Sequence, residues 1–287
     1  MKKVITMNRI IKTISNDYTV EFDNKEKRVC KARGVFRNKN ITPLAGDYVN
    51  VNSDNIIDEV LDRKNSLDRP PVANIDIAIV VTSIVNPDFS SKLLDKLLTV
   101  IVFNKIEPVI CFTKLDLSDL DIKSCKDYYE KLGYKVVTNE ELDKIKEIIK
   151  GKTVILTGQS GAGKSTLLNR LDPSLDLKTD EISKALNRGK HTTRCVEFFN
   201  VCDSYIADTP GFSKLDFNNM TKEDIKNSFI EFNNYECKYS DCMHIKEDGC
   251  VVKEAVNNNE IIKSRYENYV SFINEKENER WKYQYQF

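Results

Sequence analysis

Residues Thr153–Leu168 read TVILTGQSGAGKSTLL. Thr153–Thr157 alternate β-branched and apolar residues, as a buried parallel strand does. Gly158, Gln159, Ser160, Gly161, Ala162, Gly163, Lys164 and Ser165 follow with the G-x-x-x-x-G-K-S spacing of a phosphate-binding loop. Thr166, Leu167 and Leu168 then open a helix. Glycines let the backbone curl until its N–H groups face phosphate oxygens, and the helix N-terminus adds a positive dipole end. Lys164 reaches the β- and γ-phosphates in such a loop, and the Ser165 hydroxyl ligates Mg²⁺.

Upstream, Ile75–Ser83 is a continuous apolar run, expected as a central parallel strand. Ser90–Phe103 places Leu93, Leu94, Leu97, Leu98 and Ile101 at helical spacing. Glu107–Phe112 reads as the next strand and runs into Thr113, Lys114, Leu115 and Asp116. A carboxylate at Asp116 accepts both N–H donors of the guanine edge, and Lys114 lies over the ring. Thr113 opens this motif with a hydroxyl, which replaces only part of an amide's hydrogen bonding, so lower nucleotide affinity is expected than with an asparagine. Lys123–Leu132 and Glu140–Ile149 read as helices around a strand at Tyr134–Thr138. Thr138 and Asn139 stand near the place of a guanine-contacting loop.

Downstream, Arg188–Arg194 (RGKHTTR) lies in a polar stretch. Thr192 and Thr193 suit a first switch that meets Mg²⁺ and the γ-phosphate. Strands are expected at Cys195–Val201 and Tyr205–Ala207, leading to Asp208-Thr-Pro-Gly211. There Asp208 supports Mg²⁺ and the Gly211 N–H meets the γ-phosphate. Phe212 occupies the place of a water-orienting glutamine, which leaves His191 as the candidate catalytic residue. The motif order is base, phosphate, first switch, second switch, a circular permutation. Ligand loops cluster outside the carboxyl ends of parallel strands whatever the chain order. The second switch leads straight into the C-terminal segment, so nucleotide state is expected to move that segment.

The chain has 287 residues and equal numbers of bases and acids, 44 of each. That length suggests two or three domains, and zero net charge leaves only local patches to indicate nucleic acid. No apolar run approaches the ~20 residues of a membrane span. Eight cysteines without a secretion signal suggest a reducing cytoplasm. Before residue 71, short runs at Arg9–Ser15, Tyr18–Phe22, Lys27–Ala32, Asp47–Asn52 and Ile56–Leu61 suggest a small all-β barrel. Lys25, Lys27, Arg28, Lys31, Arg33, Arg37 and Lys39 crowd one stretch around Phe36. Such a stretch is either a solvated face or a surface for RNA backbone and bases, with Lys27, Arg28, Lys31, Arg33, Phe36 and Arg37 as the contacts. Arg63–Pro71, with two prolines, reads as a linker.

Near the C-terminus, Thr221-Lys-Glu-Asp224 opens a helix expected to run through Phe232. Cys237, Cys242, His244 and Cys250 have the spacing C-x₄-C-x-H-x₅-C. Three thiolates and an imidazole make a closed tetrahedral site for one structural Zn²⁺. Glu254–Asn278 is expected to be helical, with Ile261, Ile262, Tyr266, Tyr269, Val270 and Ile273 as its packing stripe.

Barrel, permuted nucleotide domain and zinc clip, in that order, resemble the RsgA/YjeQ family of bacterial GTPases of late small-subunit maturation. The resemblance covers nearly the whole chain and rests on Pro43–Val49, Lys114–Asp116, Gly158–Thr166, Gly189–Arg194, Asp208–Phe212 and the four zinc ligands. It implies an N-terminal OB fold (1–71), a circularly permuted α/β P-loop GTPase domain (72–215) and a mainly α zinc-binding domain (216–287). It also implies GTP hydrolysis to GDP stimulated by the small (30S) ribosomal subunit, docking on its 16S rRNA, and a catalytic part for His191. A cytoplasmic monomer is expected. The alternative is an RNA-binding assembly protein whose nucleotide site is only a structural switch; Lys164, Ser165 and Asp208, all present, favour the enzyme.

Overall fold

The structure is a computed structural model and describes residues 8–38, 41–117, 122–177, 196–208 and 216–284. Five strands begin the chain: β1 (Asn8–Ile14), β2 (Asp17–Glu21), β3 (Lys27–Ala32), β4 (Tyr48–Val51) and β5 (Ile56–Val60). Their order β1-β2-β3-β5-β4 closes through a β1–β4 pair, which makes a barrel and removes the sheet edges. Ile10, Tyr18, Val20, Cys30, Val49 and Ile57 fill it.

Phe36 joins that core at 5% exposure, carried inward by a short helix, α1 (Val35–Asn38). It therefore offers no face to a stacking base, which corrects its expected contact with RNA. Arg63–Pro71 is not a linker either. Strands β6 (Ser66–Asp68) and β7 (Pro71–Ala73) form a hairpin, and Leu67 and Val72 are buried in the central core. The Arg63 guanidinium grips the buried Asp47 carboxylate with two bonds, at 2.8 and 2.7 Å.

The central domain holds β8 (Ile77–Ser83), β9 (Glu107–Thr113), β10 (Lys135–Thr138), β11 (Thr153–Thr157), β12 (Val196–Val201) and β13 (Ser204–Asp208). The order β10-β9-β8-β11-β13 is parallel throughout, and β12 runs antiparallel to β13. Strand alternation sends Ala78 and Val80 to one face, under α2 (Ser91–Phe103) and α3 (Lys123–Lys131). Ile77, Ile79 and Val81 turn to the other, under α4 (Leu142–Ile149) and α5 (Lys164–Leu171). Burial of both faces explains why these strands read as unbroken apolar runs. Ser90 caps α2 with its hydroxyl.

The C-terminal region comprises α6 (Lys222–Asn227), a 3₁₀ turn at Ile230–Asn234, α7 (Val251–Asn257) and α8 (Lys263–Gln284). Thr221 and Asp224 form the expected capping box, but the helix ends at Asn227 rather than Phe232. The Ser228 hydroxyl turns back onto the Asp224 carbonyl, and Phe229 and Phe232 enter the core as a stacked pair. The helix expected over Glu254–Asn278 is two helices. Asn259 at φ +59 breaks it and resets its phase, so Ile261 is buried while Ile262 is 40% exposed. No helix among the described residues is long and apolar enough to cross a membrane.

Candidate nucleotide site and metal centre

Three strands bring the described candidate nucleotide residues to one end of the parallel sheet. β11 ends at Thr157 and turns into Gly158, β9 ends at Thr113, and β13 ends at Asp208. Gly158 has φ +136, and a Cβ there would lie 2.0 Å from the Val81 carbonyl oxygen of β8. Only glycine fits this approach, so the first glycine of the motif serves strand-to-loop packing. Gly163, at φ +96, is the N-cap of α5. Ser160, Gly161 and Thr166 are exposed, Ala162 is buried, and Lys164 and Ser165 are half-buried. The Lys164 ammonium donates to the carbonyls of Gly158 and Gln159, at 3.1 and 2.9 Å, across the mouth of the loop.

The base motif touches this loop. The buried Thr113 hydroxyl donates to the Ala162 carbonyl at 2.7 Å. The hydroxyl thus ties base motif to phosphate loop across 49 residues of chain, a contact that spacing does not reveal. Lys114 adopts φ +60, and its ammonium donates to the Asn86 carbonyl. Leu115 opens a 3₁₀ turn in which Asp116 is exposed. Next to it, the Asn139 N–H donates to the Phe112 carbonyl at 2.9 Å, which puts the end of β10 beside the end of β9. His191, Thr192, Thr193, Gly211 and Phe212 lie outside the described residues.

The basic stretch of the barrel is less bare than its sequence suggested. Arg28 makes two 2.7 Å bonds to Glu26. Lys31 pairs with Asp17, Arg33 with Asp58 at 3.7 Å and Lys27 with Glu21 at 4.0 Å. Most of these acids come from β2 and β5, neighbours in space rather than in sequence. Lys27, Arg28, Lys31 and Arg33 all remain exposed, and the Arg37 side chain lies outside the described ones.

Cys237, Cys242, His244 and Cys250 converge, with all their donor atoms within 4.8 Å of one another. His244 Nδ1 lies 3.5, 3.4 and 3.4 Å from the three sulfurs, and the Cys237 and Cys250 sulfurs are 3.8 Å apart. A tetrahedron with Zn–S of about 2.3 Å and Zn–N of about 2.0–2.1 Å has edges of about 3.8 and 3.6 Å, so the donors fit that ion. Burial lowers the His244 pKa and favours the neutral imidazole a metal needs. Burial also pushes the Cys242 thiol up to about 12 and raises Cys250, whereas at Cys237 burial is outweighed with the help of backbone hydrogen bonds at Val252 and Val251, which hold it low, so thiolates at Cys242 and Cys250 call for a cation. Sequence reading missed Glu247. Its carboxylate accepts the N–H groups of Met243, Ile245 and Lys246 at 2.9, 2.8 and 3.0 Å and so shapes the loop carrying His244. The Tyr266 and Tyr269 hydroxyls on α8 hold the carbonyls of His244 and Met243 at 2.7 and 2.6 Å.

Comparison with known proteins agrees with this architecture. Residues 8–58 match the family model of the RsgA N-terminal domain, and residues 60–218 match that of the RsgA GTPase. A small ribosomal subunit biogenesis GTPase RsgA 2 of Oceanobacillus iheyensis is 49% identical over 282 residues, covering 93% of this chain and 96% of the relative. The small ribosomal subunit biogenesis GTPase RsgA of Enterococcus faecalis is 46% identical over 290 residues, 96% of this chain and 97% of the relative. Among solved structures, YjeQ from Thermotoga maritima superposes with a TM-score of 0.81 at 36% identity, covering 94% and 98% of the two chains. YloQ, described as a circularly permuted GTPase, does so with a TM-score of 0.77 at 34% identity, covering 96% of each. With both family models matched in order and relatives aligned over more than nine-tenths of the chain, the chain belongs to the RsgA GTPase family.

Proposed function

We propose that this chain hydrolyses GTP to GDP and phosphate in late maturation of the small (30S) ribosomal subunit, and that the subunit stimulates its turnover. The observation that carries the reading is the bond from Thr113 to Ala162, which joins a base motif and a phosphate loop at one end of a parallel sheet. The names of the relatives, small ribosomal subunit biogenesis GTPases, support the choice of partner.

Phosphoryl transfer to water depends on positioning and charge stabilisation more than on covalent chemistry. Asp116 accepts the guanine N–H donors and Lys114 covers the ring, which selects guanine over adenine. Backbone N–H groups of Gly158–Ser165 hold the phosphates, and Lys164 leaves the loop carbonyls for the β- and γ-phosphates. Ser165, Thr193 and Asp208 would hold Mg²⁺, which when bound neutralises charge on the phosphates. The Gly211 N–H and Thr192 meet the γ-phosphate, and His191 orients the water that Phe212 cannot. The Cys237–Cys242–His244–Cys250 clip holds one structural Zn²⁺ and no part of the reaction. On the barrel, Lys27, Arg28, Lys31, Arg33 and Arg37 meet 16S rRNA phosphates. Exposed ion pairs contribute only about 0.2–1 kcal/mol, so phosphates can displace their carboxylates. The protein acts as a cytoplasmic monomer.

Displacement of a fluorescent GDP tests the site. GTP is expected to compete and ATP to leave the signal unchanged at about a hundredfold higher concentration, with the protein co-sedimenting with purified small subunits in high-salt-sensitive fashion. Equal displacement by ATP, or no co-sedimentation, refutes the reading.

A further inference from the structure

The barrel and the central domain share one sheet. β1 pairs antiparallel with β12, Lys12 opposite Glu197 and Thr13 opposite Val196. These are the first two residues of β12, directly after the stretch assigned above to the first switch. β13, the other arm of the hairpin, ends at Asp208, where the second switch begins.

Arg9 of β1 stands at the joint. It is 5% exposed; the Glu21 and Asp76 carboxylates act on it only from a distance, with no ion pair to Arg9 among the described residues. Its guanidinium lies 4.7 Å from the ring centre of Tyr205 on β13, 5.3 Å from Phe198 on β12 and 5.4 Å from Tyr48 on β4. Its Nη2 donates to the Thr153 hydroxyl at 2.8 Å, at the start of the strand that ends in the phosphate loop. Among the described residues Arg9 Nε is buried without a hydrogen-bond partner, so ring faces hold much of this cation. Around it, the Tyr205 hydroxyl bonds to Glu21 of β2, Lys25 reaches Tyr205 at 3.3 Å, and Lys12 pairs with Glu197 at 2.6 Å. One side chain thus touches the barrel, both arms of the hairpin and the foot of the phosphate-loop strand. A planar guanidinium can stack and donate at once, which a lysine cannot do.

We propose that Arg9 is a positioning residue that couples the barrel to the nucleotide site: it fixes β1 against the β12–β13 hairpin and the foot of β11, so nucleotide state alters the barrel and a load on the barrel alters nucleotide binding. Energetic coupling is reciprocal, so either direction can be measured. The inference rests on the nucleotide site and switch positions proposed above.

The test is hydrogen exchange on the full chain with GDP and with a non-hydrolysable GTP analogue, in wild type, Arg9→Met and Thr153→Val. Arg9→Met keeps the apolar bulk. Thr153→Val keeps the side-chain volume and removes the hydroxyl that Arg9 holds, so it decides the matter should Arg9→Met not fold. In wild type, β1 amides are expected to differ at least about fivefold between the two nucleotides, the lower end of ordinary coupling. In both variants that difference shrinks toward unity while α5 keeps its protection by nucleotide. Undiminished transmission in the variants, or a silent β1 in a wild type whose α5 responds, overturns the inference and spares the nucleotide site. Absence of any nucleotide protection at α5 overturns the proposed function, and the inference with it.

Discussion

Replacing Arg265 should loosen the C-terminal region from the central domain while leaving the nucleotide sheet intact. Arg265 of α8 binds Asp95 of α2 and Glu231 of the 3₁₀ turn, and all three side chains are at most 3% exposed. Its Nη2 also donates to the Tyr134 hydroxyl at 3.2 Å. The Asp95 carboxylate takes further bonds from Asn268 at 2.7 Å and Tyr129 at 2.9 Å. Arg265→Met keeps apolar contact with Phe229, whose ring centre lies 4.7 Å from the guanidinium, but strands two buried carboxylates. Removing one partner of a buried ion pair costs about 3–5 kcal/mol. At 1.36 kcal/mol per decade, α8 amides should exchange faster by about 2.2 to 3.7 powers of ten, with β8 and β11 unchanged. Adding Asp95→Asn and Glu231→Gln to Arg265→Met removes both stranded charges and should recover more than half of the loss. Acceleration below tenfold, or no recovery in the triple variant, refutes the argument. The same joint bears on the expectation that nucleotide state moves the C-terminal segment. Such movement must carry α2 with it or break a buried ionic contact.

Thr113→Val removes the hydroxyl that holds Ala162 and should weaken GDP binding about 5- to 15-fold, the worth of a neutral hydrogen bond of about 1–1.5 kcal/mol; calorimetric titration reads it, and unchanged affinity contradicts it. Glu247→Gln should speed zinc loss to a chelator by about 10- to 100-fold at neutral pH, the usual cost of disturbing groups behind metal ligands. Burial alone would raise the Glu247 carboxyl, but the backbone N–H groups around it win and hold it at about 2, below the usual 4.5. Its stabilising contribution is therefore complete above pH 4.5 and lost as pH falls toward 2, so acid unfolding of wild type and variant should converge over that window. His191→Ala should lower subunit-stimulated turnover at least about tenfold and leave GDP affinity intact; unchanged turnover removes His191 from the mechanism.

What was legible in the sequence was local. The phosphate loop, the base motif, the capping box at Thr221 and the Cys–His cluster each lie within a few residues, and spacing alone carries their chemistry. The parallel strands were legible because both of their faces are buried. Partners far apart in the chain were not. Asp95 and Arg265 are separated by 170 residues, and Arg9 and Thr153 by 144. Nothing near Arg9 or Arg265 marks either as other than a surface base. The basic stretch of the barrel looked unopposed because its acids, Asp17, Glu21 and Asp58, come from other strands. Phe36 looked like a stacking platform because an aromatic among bases has the same signature whether its ring points out or in. Arg63–Pro71 looked like a linker because its prolines mask a short hairpin, and Asn259 gave too weak a signal to divide the last helix.

The most direct measurement is GTP turnover by the purified protein, with and without purified small ribosomal subunits, and with ATP as the control nucleotide. The account predicts slow hydrolysis alone, strong stimulation by subunits, and no stimulated hydrolysis of ATP. Turnover that ignores the subunits, or that treats ATP and GTP alike, would contradict it.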